Sequence, residues 1–351
     1  MTATSGRVLE RLARRGGAVE LLWLPALLFG AGARLRGSLY DRGLLPIRQL
    51  DTPVVSIGNL TAGGTGKTPM VAFVAAALEE LGLRPGILSR GYGKGDAAEN
   101  EEAQLLARLL PSVPHVQDPD RVAGGTRLQD LGVDVIVLDD GYQHRRLARD
   151  LDVVLVDATR PWGLPARGGP PVRAFQPRGL LREAPSALRR ADLIVITRAD
   201  AADSEALRGE LACFGVPIST AVHAPVGLRT LADEALDLSA LQGVDVDLVS
   251  GVGNPQAFEA TVRGLGADVR EHRVFPDHHR FSPGDLDGLG ARPVVVTAKD
   301  APKLPATAEV WVLDVALRFL DGEDLLRARL AALPEGLRGR ERAALHEGLH
   351  G

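Results

Sequence analysis

The 351-residue chain contains little cysteine and few aromatic side chains. Cys213 is its single cysteine, and aromatic residues make up 4% of the sequence. One thiol excludes an internal disulfide and a cysteine-rich metal site, so nothing in the composition calls for an oxidising compartment. The formal net charge of −4 excludes a nucleic-acid-binding protein that depends on a global positive field. With 45% hydrophobic and 25% charged residues, the chain is expected to fold as two globular domains.

The first 50 residues lack an uninterrupted apolar run of the roughly 20 residues that a membrane-spanning helix needs. Their apolar segment, VELLWLPALLF at 19–29, is shorter and contains Glu20 and Pro25. Arginines flank it, at Arg7, Arg11, Arg14, Arg15, Arg34, Arg36 and Arg42. Three interpretations are open: a secretory signal peptide, a buried helix, or an interfacial helix whose leucines enter lipid while arginines meet anionic headgroups.

From residue 52 onward, short apolar runs alternate with helical patterns. This alternation predicts βα units around a mostly parallel sheet, and therefore an α/β fold. The predicted strands are 54–57, 86–89, 133–138, 153–156, 193–197 and 217–221, and the predicted helices are 68–81, 101–110 and 121–131.

The pattern restarts after residue 221, with a strand at 246–250, a helix at 255–265 and a strand at 293–297. Before the restart, residues 160–185 are rich in proline, glycine and arginine and have no clear period, which is typical of a long functional loop. We expect three parts: a segment 1–50 packed on the first domain, a first domain 51–222, and a smaller α/β domain 223–351.

The strongest motif is SIGNLTAGGTGKT at 56–68, between a predicted strand and a predicted helix. This is the context of a P-loop, in which glycine backbone N–H groups surround phosphate oxygens. Lys67 would reach the β- and γ-phosphates of ATP, and Thr68 would ligate Mg²⁺. Thr61 stands where the motif usually has its first glycine. The predicted nucleotide-binding residues are Thr61, Ala62, Gly63, Gly64, Thr65, Gly66, Lys67 and Thr68.

A second element supports nucleotide binding. The apolar run VIVL at 135–138 ends in Asp139 and Asp140, as expected of a Walker-B-like strand whose acids handle Mg²⁺. ATP is a cytoplasmic ligand, and this argues against the signal-peptide interpretation of the first segment. One alternative is a soluble P-loop GTPase or ATPase, because TRAD at 197–200 loosely resembles the guanine-reading N-K-x-D motif.

Seven blocks together resemble the tetraacyldisaccharide 4′-kinase family, the lipid A 4′-kinases. They are GNLTAGGTGKTP at 58–69, LSRGYG at 88–93, DDGYQHRRLARD at 139–150, VLVDATRPWG at 154–163, GLLREAPSALRRADLIVITR at 179–198, FPDHHRFSPGDL at 275–286 and VVVTAKDAPKL at 294–304. The resemblance implies transfer of the ATP γ-phosphate to the 4′-hydroxyl of a lipid-linked disaccharide 1-phosphate, giving lipid IVA. It also implies a P-loop NTPase-like first domain, a C-terminal domain closing over the active site, and a peripheral position on the cytoplasmic face of the inner membrane, reached through the N-terminal helix. No obligate protein partner is implied.

The resemblance also assigns roles to individual residues. Asp139 and Asp140 match the acidic pair, Arg182 would stabilise the transferring phosphate, and Glu183 would serve Mg²⁺, although Arg182 and Glu183 can also be a surface ion pair. His278, within the Asp277–His279 cluster, matches half of a catalytic dyad. The alternative is that this cluster is an exposed polar turn and takes no part in catalysis.

The chain departs from the family pattern at two places. The family's catalytic aspartate aligns with Glu101, and Asp96 is a second candidate for the general base. The 160–185 loop is lengthened, so that Arg167, Arg173 and Arg178 either reach the 1-phosphate or lipid headgroups or are solvated charges. His144 and Arg145 are candidates for lining the acceptor site.

Overall fold

The computed structural model describes residues 12–13, 16–91, 101–164, 172–276, 279, 281–304 and 310–333. The chain divides into two compact units. The first unit comprises Glu20–Val222 with Phe319–Gly351, and the second unit comprises Met1–Val19 with His223–Arg318.

The N-terminal apolar segment is a helix in the first unit. A 3₁₀ turn, Gly17–Leu22, leads into helix α1, Trp23–Asp41. Pro25 does not interrupt α1, because it lies in the first turn, where a backbone N–H has no partner within the helix. The large apolar side chains that α1 and its flanks leave exposed are Leu21, Trp23, Leu24, Leu27, Leu28, Phe29, Leu35, Leu44 and Ile47. The sequence run at 19–29 is too short to span a membrane, but the helical segment continues to Asp41. By length and composition, Gly17–Asp41 is then the one segment among the described residues that is long and apolar enough to cross a membrane.

The first unit is built on a parallel sheet. Its strands are β1 Val54–Asn59, β2 Pro85–Ser89, β3 His115–Gln117, β4 Val135–Asp139, β5 Leu151–Asp157 and β6 Leu193–Thr197. Their order is β6-β5-β1-β4-β2-β3, every pair is parallel, and the start of β7, Ile218–Thr230, adds to β6. All six positions of β1 and all five of β4 are buried, as continuous apolar runs predict for parallel strands covered on both faces.

Helices connect these strands. They are α2 Lys67–Glu80, α3 Glu101–Leu109, α4 Arg121–Asp130 and α5 Ser204–Leu211. Each observed boundary of α2, α3 and α4 lies within one residue of the sequence prediction. The P-loop follows β1 and opens α2, and Asp139 ends the neighbouring strand β4, so the topology brings the two motifs to the same edge of the sheet.

The second unit contains its own parallel strands. They are β9 Asp245–Ser250, β10 Asp268–Val274, β11 Val294–Thr297 and β12 Val310–Asp321, in the order β10-β9-β11-β12, and α6, Pro255–Gly264, follows β9. The short strand β8, Ala235–Leu236, pairs antiparallel with β7. The sequence predicted β9, α6 and β11, but not β10 or β12.

After β12 the chain lies in the first unit again. Residues 323–333 form helix α7. Arg327 of α7 donates to Glu80 at 2.7 Å and lies 5.5 Å over the Phe73 ring, which also packs on Phe319. The division into functional domains at 1–50, 51–222 and 223–351 remains a prediction.

Candidate active site

The P-loop presents open backbone to a ligand. Gly63 and Gly66 have φ values of 124° and 93°, which only glycine adopts without strain. A Cβ added at Gly63 or Gly64 would meet no atom within 4 Å. Helix α2 begins directly after Gly66, and no side chain caps it. Uncapped N–H groups at a helix N-terminus form a ready-made phosphate site, so this geometry fits a nucleotide phosphate.

Side chains from the neighbouring strands hold the P-loop in place. The Asn59 amide donates to Oγ1 of Thr65 at 2.9 Å, and the Thr197 hydroxyl donates to the Thr65 carbonyl at 2.9 Å. Arg198 donates to the Gly64 carbonyl at 3.1 Å. Thr197 and Arg198 belong to the TRAD sequence that suggested a guanine reader, and in the structure they support the P-loop instead.

Three charged side chains converge where the P-loop meets the end of β4. Nζ of Lys67 lies 3.6 Å from Oδ1 of Asp140. Nη1 of Arg182 donates to both carboxylate oxygens of Asp140 at 2.8 Å. Asp140 itself adopts a left-handed backbone conformation, with φ of 52°, a strained geometry of the kind that clusters at functional sites. The sequence predicted all three residues, and the structure brings them together.

The adjacent Asp139 has very different electrostatics. Burial, reinforced by the negative charge of Glu102, raises the pKa of Asp139 to about 7, against the opposing effect of Lys67. Its Oδ1 is buried and has no hydrogen-bond partner among the described residues. Burial also acts to raise the pKa of Asp140, but Lys67 and Arg182 outweigh it, and the pKa is lowered. Two neighbouring carboxyls with oppositely shifted pKa values are typical of a reaction site.

The described part of the chain contains no cluster of three or more His, Cys, Asp and Glu side chains that could hold a metal alone. In nucleotide sites, Mg²⁺ is usually held by one or two carboxylates together with water and substrate phosphates. The orphan oxygen of Asp139 and the open P-loop therefore fit a magnesium nucleotide.

Two residues that the sequence did not single out belong to this site. Arg121, at the start of α4, is 3% exposed and donates to the Asp118 carbonyl at 2.6 Å. Burial lowers its pKa, while the charge of Asp139 raises it. Glu102, on α3, adds negative charge near Asp139. Arginine and glutamate at the start of a helix usually face solvent, and no sequence signal distinguished these two.

Glu183 lies in a separate ion pair. Its Oε2 accepts from Nη1 of Arg190 at 2.9 Å, and Arg190 lies 4.8 Å over the Tyr142 ring. The side chains of Glu183 and Arg190 are 14% and 23% exposed, so this is not a solvated surface pair. The role of Glu183 in binding Mg²⁺ remains a prediction.

The segment after the acidic pair contacts α1. Nη1 of Arg145 donates to Asp41 at 2.7 Å, and Arg36 of α1 donates to the Gln143 carbonyl at 3.1 Å. Burial lowers the pKa of His144 to about 4, so its ring is neutral at pH 7. The prediction that His144 and Arg145 line the acceptor site is not tested by these contacts.

Several predicted residues fall outside this description. Asp96, Arg167, Asp277 and His278 lie outside the described residues, as does the side chain of Glu101, which begins α3. His279 is described: its ring stacks on Phe275 at 4.6 Å and contacts Asp285 at 3.1 Å.

Of the loop arginines, Arg173 pairs with Glu210 at 2.5 Å, and Arg178 pairs with Glu20 at 3.1 Å.

Comparison with known proteins agrees with this site. Residues 18–334 match the LpxK family, tetraacyldisaccharide-1-P 4′-kinase. The chain is 44% identical to the tetraacyldisaccharide 4′-kinase of Anaeromyxobacter dehalogenans (strain 2CP-C), over 91% of this chain and 92% of that protein. It is 40% identical to the tetraacyldisaccharide 4′-kinase of Geobacter sulfurreducens, over 86% of this chain and 88% of that protein. The crystal structure of LpxK from Aquifex aeolicus in complex with ATP superposes with a TM-score of 0.70 at 31% identity, covering 88% of this chain and 98% of that one. The chain therefore belongs to the tetraacyldisaccharide 4′-kinase family of lipid A biosynthesis, as its sequence blocks predicted, and not to the GTPases.

Proposed function

We propose that this kinase moves the γ-phosphate of ATP to the 4′-hydroxyl of tetraacyldisaccharide 1-phosphate through the site formed by Lys67, Asp140 and Arg182. The observation that carries the proposal is their convergence at the open end of the P-loop. Phosphoryl transfer depends mainly on positioning and on neutralising the charge of the phosphate oxygens. Lys67 and Arg182 supply two cations for that purpose, and Asp140 holds both of them in place until the nucleotide enters.

Bound Mg²⁺ would neutralise and orient the β- and γ-phosphates. We propose that Thr68, Asp139 and Asp140 hold it, with Glu183 as a further candidate. A carboxyl with a pKa of about 7 is half protonated near neutral pH. A nearby positive charge favours its ionised form, so Asp139 is expected to lose its proton when the magnesium nucleotide binds.

The proton of the acceptor hydroxyl needs a base. We propose Glu101, with Asp96 as the alternative, acting together with His278 as the family resemblance implies. Glutamate is one methylene longer than aspartate, which moves the carboxylate by about 1 Å, so the surrounding backbone must compensate for the difference.

The pair Glu101 and Glu102 offers a matched test of the base. We expect Glu101→Gln to lower kcat about a hundredfold or more, because general-base catalysis contributes about 10²–10⁴, while the ATP dissociation constant changes little. Glu102→Gln instead removes a negative charge that raises the pKa of Asp139. In this variant the acid limb of the pH profile of kcat/KM, which reports the free enzyme, should move to lower pH, and kcat should be retained. Full activity of Glu101→Gln would refute the assignment of Glu101 and leave Asp96 to be tested.

We propose that α1 is the membrane-contacting element and places the kinase peripherally on the cytoplasmic face of the inner membrane. Its supports are the large apolar side chains that it exposes, Leu24 and Leu28 each at 68%, and the arginines Arg34, Arg36 and Arg42 that follow them in the sequence. Apolar side chains that enter the acyl boundary, together with cations that meet anionic headgroups, hold a helix in the interface plane. The acyl chains of the acceptor lie in that membrane, so α1 would bring the site to its substrate.

A further inference from the structure

The turn 174–181 delivers Arg182 to the active site. Within it, Leu181 donates its N–H to the Ala174 carbonyl at 3.1 Å, and Gly179 donates to the Phe175 carbonyl at 2.8 Å. The end of the turn is bonded to the P-loop, because Ala62 donates to the Leu180 carbonyl at 2.8 Å.

The next residue continues this connection. Arg182 donates its own N–H to the Leu60 carbonyl at 2.8 Å. The position of the Arg182 guanidinium on Asp140 therefore depends on how the turn is held.

The turn 174–181 is also held by a cluster of three side chains: its own Arg178, Trp23 at the start of α1, and Glu20 in the 3₁₀ turn before α1. Arg178 is 1% exposed, and its Nη2 donates to Oε1 of Glu20 at 3.1 Å. Nε1 of Trp23 donates to Oε2 of the same glutamate at 2.6 Å. The Arg178 guanidinium also lies 5.6 Å over the Trp23 ring, within the range of a cation–π interaction. Arg178 and Trp23 thus donate to different oxygens of Glu20.

A second contact between α1 and the turn is apolar. The Phe175 ring packs directly on Gly30, where an added Cβ would come within 2.5 Å of the ring carbon Cε2. The guanidinium of Arg34 lies 5.3 Å over the same ring. The turn therefore touches α1 at two points about two helical turns apart, Trp23 and Gly30.

The burial of Arg178 excludes one interpretation from its sequence, that of a solvated loop charge. A guanidinium that is withdrawn from water must be paired, and removing one partner of a buried pair is strongly destabilising to the arrangement that the pair holds. At this position the arrangement is the contact between α1 and the turn that carries Arg182.

We infer that Arg178 is a positioning residue: through Glu20 and Trp23 it fixes the turn 174–181 against α1 and thereby holds Arg182 on Asp140. The inference rests on the proposed role of Arg182 in phosphoryl transfer. Helix α1, which we propose as the membrane contact, would in this way also support the reaction site.

The test begins with Arg178→Met, which keeps an unbranched side chain of similar length over Trp23 and removes the charge. We expect kcat to fall at least tenfold with the KM for the lipid acceptor changed less than threefold, because misplacement of a catalytic group by about 1 Å can cost about 10²-fold in rate. Arg178→Lys, which can still reach Glu20, should recover part of the loss. A direct contact of Arg178 with the acceptor phosphate predicts the opposite result, a raised KM with kcat retained, and that result would overturn the inference.

Glu20→Ala provides a second route, since it removes the same contact from the other partner by truncating a side chain that is 37% exposed. It should lower kcat in the same direction, and the double variant should be no slower than the slower single variant, because both act through one interaction. Additive losses, or no effect of Glu20→Ala, would overturn the inference.

Arg208→Met is the matched control. Arg208 also joins distant segments of the first unit, since it pairs with Asp321 and donates to the Ile218 carbonyl at 2.9 Å. Its loss should lower the melting temperature and leave kcat unchanged.

Hydrogen exchange separates a failure of this inference from a failure of the proposed function. Faster exchange at the amides of residues 174–182 in Arg178→Met than in wild type is expected whichever reaction the enzyme catalyses. Unchanged exchange there refutes the positioning role. A wild-type enzyme that phosphorylates no lipid would refute the proposed function instead.

Discussion

Replacing Asp139 by asparagine should change how the stability of the nucleotide-free protein depends on pH. Burial, with the charge of Glu102, raises the pKa of this carboxyl from 3.8 to about 7. Between these values the folded state holds a proton that the unfolded state has lost, so the free energy of unfolding falls as pH rises through that interval. Asparagine has the same shape and no ionisation, so this part of the pH dependence disappears in the variant.

The size of the effect follows from the shift. From 3.8 to about 7 is roughly three pKa units, and at about 1.4 kcal/mol per unit the ionised carboxylate destabilises the nucleotide-free protein by an amount on the order of 4 kcal/mol above pH 7. His115 and His144 act in the opposite direction, because burial lowers the pKa of each from 6.5 to about 4. Their contribution is common to both proteins and cancels when the variant is compared with wild type.

The assay is urea unfolding of wild type and Asp139→Asn from pH 5 to pH 8.5 without nucleotide or Mg²⁺. The stability of the variant relative to wild type should increase with pH up to about 7 and then level off. The variant should at the same time lose most of its Mg²⁺-dependent turnover. Parallel stability curves across the whole range would refute the raised pKa and the electrostatic account of the acidic pair.

Two further predictions concern the P-loop and the membrane helix. Gly66→Ala places a side chain at φ 93° and should cost roughly 1–2 kcal/mol of stability and weaken ATP binding. The control is Gly209→Ala, inside α5 with nothing within 4 Å of the new Cβ, which should instead stabilise the protein. Equal effects of the two substitutions in calorimetry would contradict the P-loop geometry. Changing Leu24, Leu27 and Leu28 together to Gln should weaken sedimentation with anionic vesicles at least tenfold, because each leucine loses its transfer free energy. The control is Leu131→Gln, which changes an exposed leucine after α4. Unchanged vesicle binding of the triple variant would exclude α1 as the membrane contact.

The sequence alone predicted the elements whose pattern is set by burial on both faces. Strands such as β1 and β4 read as continuous apolar runs, and the P-loop and the acidic pair followed from their spacing after those strands. Strand β10 was not predicted, because its sequence, DVREHRV, is largely exposed at a sheet edge and carries no apolar run. Strand β12 is twelve residues long, beyond the four to eight that the strand pattern assumes.

Within the site, sequence reasoning found residues that belong to motifs and missed those that tertiary contacts recruit. Lys67, Asp140 and Arg182 were all predicted. Arg121 was not, because a buried arginine at a helix start has the same local pattern as an exposed one. Arg178 was noticed only as a charge in a lengthened loop, since its partner Glu20 lies 158 residues away in the chain.

Phosphate transfer itself tests the proposed function most directly, with purified enzyme, γ-labelled ATP, Mg²⁺ and detergent-solubilised tetraacyldisaccharide 1-phosphate. We expect labelled lipid that carries the new phosphate at the 4′ position, and loss of that product in Lys67→Ala and Arg182→Met. Label that appears only as inorganic phosphate, or lipid product that persists in both variants, would contradict it.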